Sequence, residues 1–266
     1  MKVEQGTIMK ISLSRRQAMS GLLAGSAIPA VLTSQSASAA TASPAAAEQP
    51  VEQCILLPQA VEGPFYFDPK LVRADITEGR PGAPLTLKLR VIESGACAPI
   101  TNARVDIWHA DASGIYSGYD GQGNDRDVST KGQTYLRGTQ TTDGDGRVAF
   151  TTIYPGWYPG RTPHIHVKVF LDKKSLVTAQ IYFPEEFSKR IYSTRAPYST
   201  RPVSGTTNAT DGIFHDGERD GGGTVLAMSE DGDMLVAALL IGVDKTGAAA
   251  ARTGGVGGFF RRMIGL

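Results

Sequence analysis

Between residues 85 and 243 the apolar side chains recur at every second position in short runs, and this spacing constrains the fold most. A period of two sends successive side chains to opposite faces of an extended strand, and clusters of Gly, Asp, Asn and Pro between the runs end each strand quickly. The segments 85–92, 104–108, 147–153, 165–171, 178–183, 224–228 and 234–243 are the expected strands. No long amphipathic helical pattern or internal repeat interrupts them. The fold class expected is all-β, a β-sandwich of short, mainly antiparallel strands with long loops.

The 266 residues, 41% of them hydrophobic, suffice for one substantial core, and nothing marks a second domain. The formal charge is +1. The first 39 residues hold four Lys/Arg and one acid; without them the chain carries 23 basic and 25 acidic residues. A balance this close to neutral, with no basic patch, argues against a nucleic-acid or anionic-membrane partner.

The N-terminus reads as an address. Arg15 and Arg16 precede a moderately apolar run broken by Gly, Ser and Pro, and Ala-Ser-Ala at 37–39 supplies the small residues of a cleavage site. Residues 1–39 are expected to be a twin-arginine signal, 40–50 a linker, 51–245 the folded domain and 246–266 a Gly/Ala-rich flexible tail. The destination is then periplasmic or secreted. An oxidising compartment lets Cys54 and Cys97 pair; two buried thiols are the alternative, since the sequence does not give their separation.

Two of the chain's four histidines, His164 and His166, stand one residue apart at the start of an expected strand. They share a face, with Ile165, Val167, Val169 and Leu171 on the other, and two imidazoles at a strand mouth suit a metal. Tyr116 lies in a loop after the strand 104–108, and Tyr158 in a Pro- and Gly-flanked turn. His109, after a strand, and His215, in a turn-like stretch, are read as non-ligands. Asp143–Gly146, Asp-Gly-Asp-Gly, fits a hairpin turn better than a calcium loop.

Together EGPFYFD (62–68), DIWHADASGIYS (106–117), YPGWYPGRTPHIHV (154–167) and TAQIYF (178–183) resemble the intradiol ring-cleavage dioxygenases, the family of catechol and protocatechuate dioxygenases. The resemblance spans roughly 54–200 in the family's order. It implies a non-haem Fe(III) held by Tyr116, Tyr158, His164 and His166 on long metal-bearing loops, with Tyr158 the releasable ligand. Arg161 matches the family's arginine before the histidine pair, and Gln180 the glutamine on the next strand. A small aromatic diol and O2 are the implied partners, and a muconate-type diacid the implied product. The donor types agree: phenolate is a hard anionic oxygen suited to ferric ion. A zinc site on His164, His166 and a third ligand is the alternative, but tyrosine is an uncommon zinc ligand.

Two departures bear on substrate. Only Pro-Gly-Arg-Thr-Pro separates Tyr158 from His164, where well-studied cytoplasmic members carry a longer segment, so an open pocket mouth is expected. The long N-terminal helical region by which catechol dioxygenases dimerise is not evident. A reading of another class is a secreted binding or interaction module with a structural or vestigial metal site. Four candidate ligands with no obvious fifth leave room for substrate and favour an enzyme.

Overall fold

A computed structural model describes residues 54–253, all within a compact unit of residues Glu48–Leu266. The expected signal segment 1–39, the linker 40–50 and the tail beyond 253 lie outside the described residues. The strands are β1 (Pro84–Glu93), β2 (Arg104–Trp108), β3 (Arg137–Thr141), β4 (Arg147–Ile153), β5 (His164–Leu171), β6 (Lys174–Tyr182), β7 (Ala227–Asp231) and β8 (Met234–Val243). Three α-helices accompany them among the described residues: α1 (Glu185–Thr194), α2 (Gly212–Arg219) and α3 (Ala248–Thr253).

The strands form two sheets, ordered β4-β1-β8-β7 and β3-β2-β5-β6. β1 and β8 run parallel; the other ladders are antiparallel. Alternation decides which side chains are inside. Leu85, Leu87, Leu89 and Val91 of β1 join Val105 and Ile107 of β2 and Ile165, Val167 and Val169 of β5 in one apolar core. The residues between them on β2 and β5 therefore face away from that core. This second face of the β3-β2-β5-β6 sheet carries both histidines.

The first described residues lace the sheets together. Leu57 N–H donates to Gly242 O of β8 (2.8 Å) and Ala60 N–H to Thr178 O of β6 (2.7 Å). Nearby, Cys54 and Cys97 form a disulfide with Cα atoms 5.5 Å apart, which resolves the two readings of the cysteines.

Three expectations need correction. β3, Arg-Gly-Thr-Gln-Thr, has no apolar alternation because Arg137 and Thr139 point to the polar face, while Gly138 lies so close to Ile76 that a Cβ would sit 2.5 Å from its Cγ2. The strand expected at 224–228 divides between the sheets. Tyr182 N–H donates to Thr224 O (2.9 Å) and Leu226 N–H to Tyr182 O (2.8 Å), whereas Ala227 onward pairs with β8. His215 stands on α2 rather than in a turn, because Asp211 caps that helix by accepting from Ile213 and Phe214 N–H. Of the expected tail, the described part holds a turn and α3.

Asp143–Gly146 is a turn as expected, but it carries the chain from one sheet to the other rather than closing a hairpin. Asp143 Oδ1 accepts from Asp145 and Arg147 N–H, so this carboxylate serves the backbone.

Candidate metal centre

On the face of β2, β5 and β6 away from the core, the register sets Trp108, His166 and Gln180 side by side, with His164 beside Tyr182. Although this face is not the core face, both histidines are only 3% exposed. A cover of aromatic side chains explains it: Phe65 stacks on Tyr116 with ring centroids 4.7 Å apart, and Tyr66 packs on Trp108 at the same separation. Buried Arg137 locks this cover, donating to Phe65 O (2.6 Å), Ser117 Oγ (2.8 Å) and Ser117 O (2.7 Å).

The loops that bring the tyrosines meet backbone to backbone. A Cβ on Gly114 (φ +82°) would lie 2.3 Å from Trp157 O, and one on Gly156 2.3 Å from Ala112 O, so only glycine allows the approach. Tyr116 is then held by Thr130 Oγ1–H on its carbonyl (2.7 Å) and by Gln122 Oε1 on its N–H (3.1 Å). After Tyr158, Pro159 and Gly160 (φ +80°) make a tight turn closed by Arg161 N–H to Tyr158 O (3.1 Å). The short Pro-Gly-Arg-Thr-Pro link thus folds Arg161 back beside Tyr158 and leaves Pro159 and Gly160 exposed.

Four polar atoms converge. Tyr116 Oη lies 3.0 Å from His166 Nε2 and 3.3 Å from His164 Nε2, and Tyr158 Oη lies 3.2 Å from His164 Nε2. His164 Nδ1 faces Thr162 O at 2.7 Å, so Nδ1 carries the proton and Nε2 turns a lone pair toward the tyrosines. Tyr116 has one proton for two imidazole nitrogens, and Arg161 Nη1 approaches Tyr158 Oη and His164 Nε2 only at 3.4 Å. Lone pairs crowded this way, with few protons among them, fit a cation at their centre.

Electrostatics give the same answer. Burial pushes the Tyr116 phenol well above its ordinary pKa, and the nearby Tyr158 oxygen pushes it further. Burial also raises Tyr158, against the opposing pull of Arg161. Both histidines are held well below their usual pKa by burial and then by the Arg161 charge. The protein alone therefore keeps neutral phenols and neutral imidazoles here, and ionising the phenols would take a cation bound among them. Among the described residues no three His, Cys, Asp or Glu side chains gather as a metal set, so any cation at this place depends on the tyrosines.

Around the four atoms stand Arg161 and Gln180, both within the cluster. Arg161 Nη2 donates to Gln180 Oε1, and Gln180 Nε2 donates to Val61 O (3.0 Å). Burial disfavours the Arg161 charge, but Tyr158 and Asp211 outweigh that and raise its pKa. The ion pair to Asp211 (Nε to Oδ2, 2.9 Å) escaped the sequence reading, as did Trp108 stacked on His166. An Asp immediately before the short amphipathic run 212–219 is a helix-cap signal that points to Asp211 as an element boundary, though not to Arg161.

The other two histidines stand apart. His109 is buried, with Nδ1 2.8 Å from Ala110 O and Nε2 2.7 Å from Thr152 Oγ1. His215 is exposed and turns Nε2 to Ala209 O.

A family profile described as Dioxygenase matches residues 61–196, which contain both tyrosines, both histidines, Arg161 and Gln180. The chain is similar to a solved intradiol ring-cleavage dioxygenase from Tetranychus urticae, with 34% identity and a TM-score of 0.65 over 72% of this chain and 95% of that one. It is also 34% identical over 131 residues to the protocatechuate 3,4-dioxygenase beta chain of Burkholderia cepacia, covering 46% of this chain and 53% of that protein. Against a catechol 1,2-dioxygenase of Acinetobacter baylyi the identity is 28% over 189 residues, 59% of this chain and 58% of the relative. The chain spans about half the length of these two relatives. With the profile covering half of the sequence and the motif residues inside it, the chain belongs to the intradiol ring-cleavage dioxygenase family.

Proposed function

We propose that this protein is a ferric dioxygenase that cleaves a small catecholic ring between its two hydroxyl-bearing carbons, with its two sheets packed as a sandwich and the metal among the loops of one face. Both atoms of O2 end in the two carboxyl groups of a muconate-type diacid. The observation that carries this reading is the convergence of Tyr116, Tyr158, His164 and His166 on one point, with Oη to Nε2 distances of 3.0–3.3 Å. Ferric ion, when bound, supplies a hard positive charge that binds both diol oxygens and activates the ring toward O2.

The chain's own groups divide the remaining work. Tyr158 is the half-buried member of the four and has Arg161 Nη1 beside its oxygen, so it is the tyrosine suited to release and to hold a diol proton at Oη. Tyr116, fully buried and fixed at its N–H and carbonyl, is the permanent phenolate. Arg161 Nη1 is placed to stabilise negative charge developing on the bound ring. Phe65, Tyr66 and Trp108 close one side against water. The exposed Pro159–Gly160 turn supports an open mouth and weak discrimination among ring substituents.

Oxygen uptake across a panel of catechol, hydroxyquinol and protocatechuate, with products identified by mass and absorbance, tests the reading. A diacid carrying both oxygen atoms is expected. A yellow semialdehyde, or catechol binding without oxygen consumption, would overturn it. Export by the twin-arginine route belongs to the same proposal, and replacing Arg15 and Arg16 by Lys should retain the protein in the cell.

A further inference from the structure

Arg161 has three guanidinium nitrogens, and two of them are anchored away from the four converging atoms. Nε donates to Asp211 Oδ2 (2.9 Å), and Nη2 donates to Gln180 Oε1. Only Nη1 faces the centre, 3.4 Å from both Tyr158 Oη and His164 Nε2. A long side chain of this kind ordinarily samples many rotamers, so its aim depends on those anchors.

Asp211 is the stronger anchor. It is fully buried, stands 50 residues from Arg161 in sequence, and has both carboxylate oxygens in use. Oδ1 accepts from Ile213 N–H (2.9 Å) and Phe214 N–H (3.2 Å) at the start of α2. Oδ2 accepts from Arg161 Nε and also from Thr162 N–H (2.9 Å). The carbonyl of Thr162 is in turn the acceptor that fixes His164 Nδ1. One carboxylate therefore ties α2 to the side chain of Arg161 and to the backbone that orients His164.

We propose that Asp211 is a positioning residue for the ring-cleaving reaction: its carboxylate locks Arg161 so that Nη1 alone points at the bound ring. The proposal rests on the function proposed above, because the benefit of the aim is felt only when negative charge develops on a substrate. Asp211 is not one of the four converging residues and acts through Arg161.

Asp211→Asn keeps the shape and a cap oxygen, and Asp211→Ser keeps a good helix cap but loses the reach to Arg161. Both should retain iron content and the visible charge-transfer band while kcat falls about 10- to 100-fold with KM little changed. In an Arg161→Ala background, Asp211→Asn should cost much less kcat than in the wild type, because only its hold on the Thr162 backbone is left to lose. An independent readout is the Arg161 Nε–H resonance in metal-free protein labelled with 15N. It should be protected from solvent exchange in the wild type and exchange-broadened in both variants.

Wild-type turnover in both variants, multiplying penalties in the double variant, or an unchanged Arg161 resonance would overturn the proposal. Should the wild type consume no oxygen with any catechol, the functional reading fails, and the resonance still decides whether Asp211 locks Arg161.

Discussion

Trp108 lies flat on His166, with ring centroids 4.7 Å apart and planes 11° from parallel. The two histidines are thus held by different means. His164 has its Nδ1–H on a carbonyl, whereas His166 Nδ1 is buried without a partner among the described residues and its ring is oriented by stacking between strands. Ligand histidines are ordinarily steered through the second nitrogen, and in the proposed metal site the Trp108 stack would take the place of that bond. Trp108→Phe should preserve iron affinity, since it keeps an aromatic face and removes a buried Nε1–H that also lacks a partner among the described residues. Trp108→Leu should weaken iron binding about 10-fold in chelator competition. Equal affinity in both variants would separate His166 orientation from the stack.

In the proposed site the four converging residues should differ in how much each contributes to holding the metal. Tyr116→Phe, His164→Ala and His166→Ala each remove one of the candidate donors and should lower iron occupancy, measured by metal analysis of purified protein. Tyr158→Phe should alter colour and turnover more than occupancy, because that side chain is half-buried beside Arg161 and is the one suited to release. Full iron content and unchanged visible spectra in all four variants would contradict the assignment of these residues to the metal.

Much of this was legible because strands and ligands obey the same period. His164 and His166 share a face for the same reason that Ile165 and Val167 share the core, and one alternating run reports both. What escaped had no local signal. β3 is polar because Arg137 and Thr139 face away from the core, Arg137 holding the aromatic cover and Thr139 donating to Asp106, so a rule that seeks alternating apolar residues passes over it. Residues 224–231 split between two sheets because Tyr182 competes with β8 for their backbone, a tertiary outcome that a run of apolar letters does not encode. Asp211 reaches Arg161 across 50 residues, and nothing short-range announces such a pair.

The disulfide fastens the start of the described chain. Cys54 and Cys97 close a span of 43 residues, and the Cys54 carbonyl also accepts from Gly95 N–H (3.2 Å). A loop of that length corresponds to about 4 kcal/mol of stabilisation in the chain-entropy account. Replacing both cysteines by Ala should lower the urea midpoint correspondingly without changing the visible spectrum, because the bridge sits at the end of β1, in the other sheet from His164 and His166. Two free thiols in the mass of the unreduced protein would refute the bridge.

Acid should destabilise the fold partly through His109. Burial lowers its pKa to about 4; the Ala110 carbonyl opposes the shift and the Arg137 charge adds to it. Its ring is neutral, with Nδ1–H on Ala110 O and Nε2 accepting from Thr152 Oγ1–H, so protonation removes an acceptor as well as adding a buried charge. The sign follows from linkage. Between the ordinary histidine pKa of 6.5 and the folded value near 4, the unfolded chain binds the proton and the folded chain does not. The stabilisation is fully present above pH 6.5 and is lost as pH falls through that window, by about 3 kcal/mol in all. His164 and His166 act in the same direction and remain in any His109 variant, so a difference measurement isolates one proton. Urea unfolding of wild type and His109→Gln at several pH values from 4.5 to 7 (about half-unit steps suffice) should show a shallower loss in the variant, by about 1.4 kcal/mol per pH unit within the window. Parallel curves would mean that His109 is protonated in the folded protein or that its proton is taken up without cost.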